Sequence, residues 1–262
     1  MIARALLAFA CVVLAWDANA SSPSADDDRP DRIAFGLGVP HVQIREELTR
    51  RFRWDGFGGL LALGYEHRGE EMRHVAAIEL PVAWVTNRYG AGAAALALRL
   101  DYTLLVPVAE LGGGRLWAGG RYRWDHALQY YADWDEEHLY WLSAHELGPA
   151  VAWELPVAPF QTLRASLSLP VLALASRPPA ERTNKIDDLK SVGFHLGRPH
   201  EDMAFTSLHE YVSAEAALAW AWSFSESWLI QAAWVSRYRR HASPVPVQLL
   251  ENVLVTSVAH DF

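Results

Sequence analysis

The amino-acid sequence predicts an all-β fold, a single transmembrane antiparallel up-and-down β-barrel of about ten strands. Long stretches alternate apolar with polar or small residues, which is the period of a strand with two different faces. The connections between these stretches alternate between short and long along the whole chain. Although 51% of the 262 residues are apolar, no run of them is long enough to cross a membrane as a helix.

The first twenty residues are read apart from the fold. Met1–Arg4 carries one positive charge, residues 5–16 are apolar, and Ala18-Asn19-Ala20 is an A-x-A cleavage pattern. Residues 1–20 therefore read as a secretory signal peptide. Cys11, the single cysteine, lies in the apolar run. Lipidation there is the alternative, although Phe9 stands where such a site uses small residues. Cleavage after Ala20 leaves a mature chain without disulfide or thiol chemistry. Residues 21–31 are rich in Ser, Pro and Asp and read as a disordered lead-in. No other segment of this kind divides the chain, so residues 32–262 form one barrel domain.

Ten strands are expected, at 32–41, 57–67, 72–85, 94–107, 114–126, 139–154, 160–174, 211–223, 226–239 and 247–262. Many exceed the usual five or six residues of globular strands, and a tilted strand needs about 9–11 to cross a bilayer. The short connections are 68–71, 108–113, 156–159 and 224–225. The longer ones are 42–56, 86–93, 127–138, 175–210 and 240–246. With both termini in the periplasm, an even strand number puts the short turns inside and the long loops outside.

The two faces follow from the alternation. In the fourth strand Leu98, Leu100, Tyr102 and Leu104 oppose Arg99, Asp101 and Thr103. In the ninth, Trp228, Ile230 and Trp234 oppose Gln231, Arg237 and Arg239. The apolar set is assigned to lipid, because Arg or Lys on that face costs roughly 2–4 kcal/mol at the midplane. The 12 Trp residues suit membrane interfaces. The other set points into the lumen. It comprises Glu66, Glu79, Arg99, Asp101, Arg115, Arg121, Arg123, Asp125, Glu146, Arg164, Glu215, Arg237 and Arg239. A ten-stranded lumen is narrow, so these long side chains are expected to fill it as a paired network. A narrow conduit for small polar solutes near Arg121, Arg123 and Asp125 is the alternative.

The last strand runs Val253-Leu254-Val255-Thr256-Ser257-Val258-Ala259-His260-Asp261-Phe262. An alternating final strand with a terminal aromatic resembles the C-terminal assembly signal of bacterial outer-membrane β-barrel proteins. The resemblance implies residence in the outer membrane among its lipids. It also implies recognition of Phe262 by the barrel-assembly machinery during biogenesis.

Three constellations bear on chemistry. Ser143 and His145 share a face of the sixth strand, the lipid face, while Glu146 points the other way. Ser and His on that face would suit an outer-membrane lipid acyl hydrolase, but because Glu146 points away the group that would orient the imidazole is missing locally. Asp125-His126 with Asp133-Trp134-Asp135 resembles the Asp pair and Asp–His pair of omptins, the ten-stranded outer-membrane proteases, but here all four residues fall in one loop region. His195, His200 and His209 occur with Asp187, Asp188, Glu201 and Asp202, at spacings that form no compact metal-binding pair. No metal and no cofactor is expected. The net charge of −8 argues against nucleic acid, which needs a basic stripe. The leading expectation is a structural or interaction role through residues from Ala175 to Glu210, offered to an extracellular partner.

Overall fold

The computed structural model describes residues 30–46, 52–131, 139–177, 203–243 and 245–262. The expected signal peptide and nearly all of the lead-in lie outside them, but Asp31 already belongs to the first strand.

The described residues form twelve strands: β1 (Asp31–Glu46), β2 (Phe52–Arg68), β3 (Arg73–Asn87), β4 (Gly92–Leu111), β5 (Gly114–Tyr131), β6 (Leu139–Ala158), β7 (Gln161–Ser168), β8 (Leu172–Ser176), β9 (Ala204–Ser207), β10 (Tyr211–Ser223), β11 (Trp228–His241) and β12 (Val247–Asp261). All pair antiparallel in one sheet, which closes on itself through β5–β6 and β1–β12. Ten barrel positions result, because two of them are broken in the middle. β7 and β8 both pair with β6 and continue one another. β9 and β10 likewise pair with β8 and β7.

The break after β7 has a local cause. Pro170 has no N–H to give to the ladder, so a bulge forms around it. Leu169 and Val171 still donate to the carbonyls of Pro149 and Leu147, at 3.1 and 3.0 Å. The extra residue reverses the alternation. Arg164 and Ser168 face inward before it, whereas Ala173 and Ala175 face inward after it. Leu169, Val171, Leu172 and Leu174 are consequently all exposed on the outside.

The strands outrun their expected ends on the extracellular side. β1 and β2 stay paired up to Glu46 opposite Phe52, so most of 42–56 is strand rather than loop. β5 runs on to Tyr131, and part of 175–210 is strand in β8 and β9. The turn between β3 and β4 is as tight as the periplasmic ones, with Gly90 at φ 86° and its N–H on the carbonyl of Asn87. The two-residue turn between β4 and β5 uses Gly112 and Gly113, both at positive φ.

The outer wall is apolar. Ile33, Phe35, Leu37 and Val39 of β1 are about half exposed, as are Leu61, Leu63, Ile78, Leu80, Val82 and Leu254. A band of this extent on a monomer in water would be a large uncovered apolar patch; in a bilayer it is the lipid contact surface. Tyr65, Tyr102, Trp222 and Trp228 lie outward toward the periplasmic end, and Phe57, Trp84 and Tyr89 toward the other.

The inner wall carries the core. Above the middle of the barrel, Val42, Ile44, Trp54, Ala83, Val85, Ala93, Tyr131 and Tyr140 form one buried apolar cluster. Leu142, Ala144, Ala173, Ala175, Tyr211 and Val247 form another beside it. Leu105, Trp117, Ala150 and Ala152 pack together toward the periplasmic end. Charged side chains occupy the space between these layers.

Candidate functional site

The central layer is built by register. Glu79, Arg99 and Asp125 stand directly opposite one another on β3, β4 and β5. Glu215, Arg237 and Glu251 do the same on β10, β11 and β12. These two rows face each other across the lumen. Small inward residues on the adjoining wall, Ala34, Gly36, Gly38, Ala62 and Gly64, leave room for the long side chains to extend.

Bonds then cross from wall to wall. Arg99 donates Nη1 to Glu251 at 2.9 Å and Nε to Asp125 at 2.7 Å. Arg237 reaches Glu79 at 2.7 Å and Glu215 at 2.6 Å. Arg239 meets Asp125 at 2.7 Å. Arg121 bonds Asp101 and Glu215, both at 2.6 Å, and Ser168 at 2.8 Å. Arg123 bonds Asp101 at 3.0 Å and also Glu215. Five arginines thus meet five carboxylates, Glu79, Asp101, Asp125, Glu215 and Glu251. Glu146, buried beside them, accepts from Tyr211 Oη and from Ser213 Oγ at 3.2 Å.

A second group lies toward the periplasm. Arg73 and Arg164 each form ion pairs with both Glu66 and Glu154, at 2.5–3.0 Å; Arg164 hydrogen-bonds both carboxylates and Arg73 hydrogen-bonds Glu154. Arg73 also lies over the ring of Trp117, 4.6 Å from its centroid. Arg32 and Arg68 hold Asp261 at 2.6 and 3.1 Å, tying the first strand to the last. Charge-assisted bonds of this kind are the stronger class. Buried charge is tolerated only when it is paired and its remaining donors are used.

Of the expected lumen set, Glu66, Glu79, Arg99, Asp101, Arg121, Arg123, Asp125, Glu146, Arg164, Glu215, Arg237 and Arg239 lie inside. Arg115 does not join them. It stands at the periplasmic rim, half exposed, and pairs with Glu110 at 3.0 Å. Its position next to the Gly112-Gly113 turn puts it beyond the enclosed part of the lumen. Arg32, Arg73, Glu154, Glu251 and Asp261 belong to the network but were not singled out. Each lies an even number of residues from an inward-facing charge on its own strand or extends the same alternation, and that was the available signal.

The candidate catalytic residues are engaged by neighbouring aromatic side chains or turned to the other face. Ser143 and His145 do face outward, and Glu146 inward. His145 Nδ1 is 2.7 Å from Tyr122 Oη, and its ring stacks on Trp124. Ser143 is fully buried and accepts from Trp124 Nε1 at 3.4 Å. Asp125 and His126, adjacent in sequence, point to opposite faces of β5: Asp125 into the ion network, His126 against Trp124 outside. Asp133, Asp135, His195 and His200 lie outside the described residues. His209 is described, and its Nδ1 is 2.7 Å from Ser207 Oγ. Among the described residues no group of three His, Cys, Asp or Glu is placed to hold a metal ion. Phe262 pairs with Asp31 through backbone bonds and stacks on His260, with its ring half exposed.

Beside the Arg99, Arg239 and Glu251 side chains, the upper lumen keeps a cavity of only about 30 Å³, walled by Val42, Ile44, Ala83, Ala127 and Leu249. That is room for about one water. A closed ten-position barrel with an apolar outer belt, paired termini and short turns at the terminal end leaves one environment that fits. The chain has the fold of an outer-membrane β-barrel.

Comparison with solved structures agrees on the fold. The barrel resembles the outer-membrane protease OmpT from Escherichia coli, with a TM-score of 0.51 and 7% identity, over 92% of this chain and 99% of that one. The translocator domain of the autotransporter NalP from Neisseria meningitidis matches over 100% of this chain and 95% of its own, at 12% identity and TM-score 0.45. Neisserial surface protein A matches at 6% identity and TM-score 0.40, over 88% and 97%. No family model matches the sequence, and no curated protein matches it.

Proposed function

We propose that this protein is a closed outer-membrane barrel, whose role is structural or is exerted through its extracellular side. One observation carries the reading: the ion pairs that run from the β3–β5 wall to the β10–β12 wall beneath an apolar cap. A polar solute passing through would have to part Arg99 from Glu251 and Arg237 from Glu79. It would also have to displace Trp54, Tyr131 and Tyr211, all nearly without exposure. An interaction role would fall to the segment from Ala175 to Glu210, which includes the ends of the β8 and β9 ladder and the long connection 177–203, of which residues 178–202 lie outside the described residues.

Planar-bilayer recording tests closure. Purified full-length barrel should give no discrete, stable openings at moderate voltage. Reproducible unitary steps from the wild-type protein would overturn the reading and restore the conduit. Removal of residues 178–202 tests the second half. The shortened barrel should still fold and shift in heat-dependent gel mobility, but lose capture of any extracellular partner that the intact protein binds.

A further inference from the structure

We propose that the outward-facing extracellular rim of β2, β1, β12 and β11 binds the phosphates of an outer-leaflet glycolipid headgroup through Arg53, Arg45 and Arg240. Register places these residues in one line. Arg45 stands opposite Arg53 on one side and Gln248 on the other, and Gln248 stands opposite Arg240. Each is the last outward-facing position of its strand before the loop. The line covers three inter-strand spacings, about 14 Å, enough to meet two phosphates on one headgroup.

Among the described residues its charge is only partly compensated. Arg45, Arg53 and Arg240 are exposed. Among the described residues no carboxylate pairs with Arg45 or Arg240. Arg53 reaches Asp55 at 3.4 Å, and that carboxylate also meets His41 Nε2 at 3.1 Å. One carboxylate therefore serves three guanidiniums. The loop joining β1 and β2 does not change the balance, because Glu46 and Glu47 are matched in sequence by Arg50 and Arg51. The loop joining β11 and β12 carries no charged residue between Ala242 and Pro246. In a chain of net charge −8 whose lumen arginines are all paired, a free cationic line on the outer wall is set up for an external anion. Guanidinium groups bind phosphate through two parallel N–H···O bonds.

The wall below fits the rest of such a lipid. On the same strands, Val39, Leu254 and Phe57 are 57%, 66% and 64% exposed, forming an acyl contact surface. Polar Gln43, Asn252 and Ser236 lie between them and the arginines. On β1 the acyl chain, polar linkage and phosphate would thus meet Val39, then His41 and Gln43, then Arg45, while Asp55 on β2, Tyr238 on β11 and Leu250 on β12 share the middle zone.

The experiment uses the folded full-length protein in neutral detergent, titrated with diphosphoryl lipid A, with the same lipid dephosphorylated, and with inorganic phosphate. Bound lipid is counted by native mass spectrometry. Wild type should bind the diphosphorylated form saturably. At about fivefold per surface cation, the Arg45→Gln/Arg240→Gln variant should bind roughly 25-fold more weakly, while Arg115→Gln at the opposite rim should not differ from wild type. All three should keep heat-dependent gel mobility, and an Arg45→Lys/Arg240→Lys variant should recover part of the affinity. Equal binding by wild type and the Gln variant would overturn the proposal, as would equal binding of the dephosphorylated lipid. Full displacement by millimolar inorganic phosphate would overturn the lipid as occupant.

Discussion

Asp125→Asn gives the sharpest test of a sealed lumen. The Asp125 side chain is fully buried, accepts from Arg99 Nε at 2.7 Å and forms an ion pair with Arg239 Nη1, also at 2.7 Å. Arg99 keeps Glu251 and Glu79 after the substitution. Arg239 keeps no carboxylate among its described ion pairs, while its side chain is 3% exposed. Removing one partner of a buried pair costs about 3–5 kcal/mol when the remaining charge cannot rehydrate. The exposed rim pair of Arg115 and Glu110 supplies the scale, since such pairs contribute less than about 1 kcal/mol. Urea unfolding in lipid vesicles, followed by tryptophan fluorescence and by gel mobility, should therefore separate Asp125→Asn from Arg115→Ala by about 3 kcal/mol. A small effect of Asp125→Asn, equal to that of Arg115→Ala, would refute the reasoning. It would mean that water reaches Arg239 and that the lumen is an open aqueous path.

Other outcomes follow from single contacts. Gly58→Ala would put a methyl group 1.9 Å from the carbonyl oxygen of Val82, so β2 and β3 must part locally; a loss of about 1–3 kcal/mol is expected in the same unfolding assay. His145→Ala should leave lipid-hydrolysis assays indistinguishable from wild type, because His145 Nδ1 is engaged with Tyr122 Oη and Glu146 points to the other face; hydrolysis by wild type that vanishes in the variant would reinstate the acyl hydrolase. Deleting Phe262 should lower the fraction of chain recovered as heat-shifted barrel in membranes while leaving the stability of what does fold little changed, since the ring is half exposed; unchanged recovery would remove its role as an assembly signal.

Much of this architecture is legible in the chain because strand periodicity is local. A residue's neighbours two positions away share its face, so Arg99 and Asp101, or Arg237 and Arg239, could be assigned inward without a structure. The same rule marked Ser143 and His145 as outward and Glu146 as inward. It carries as far as Val171; beyond that the extra residue at Pro170 reverses the faces, so Leu172 and Leu174 are exposed as well. Loop lengths were overestimated where polar residues such as Arg45, Arg53 and Asp55 continue the strands beyond the apolar band, because hydrophobic patterning fades once the wall leaves the lipid. Arg115 obeys the alternation but stands too close to its turn to be enclosed, and periodicity alone has no measure of depth.

By itself the sequence determined the barrel, its approximate strand count, its orientation and the sign of each face, since all of these follow from period-two alternation and from turn residues. Only the tertiary structure decided which charges meet. Arg99 and Glu251 are 152 residues apart and Arg237 and Glu79 are 158 apart. Their pairing exists because closure of β1 on β12 and β5 on β6 brings opposite walls within a side chain's reach. The same closure turned a list of inward charges into a paired network, and it placed Arg53, Arg45 and Arg240 in one line on the outer rim, although their sequence positions give no hint that they are neighbours.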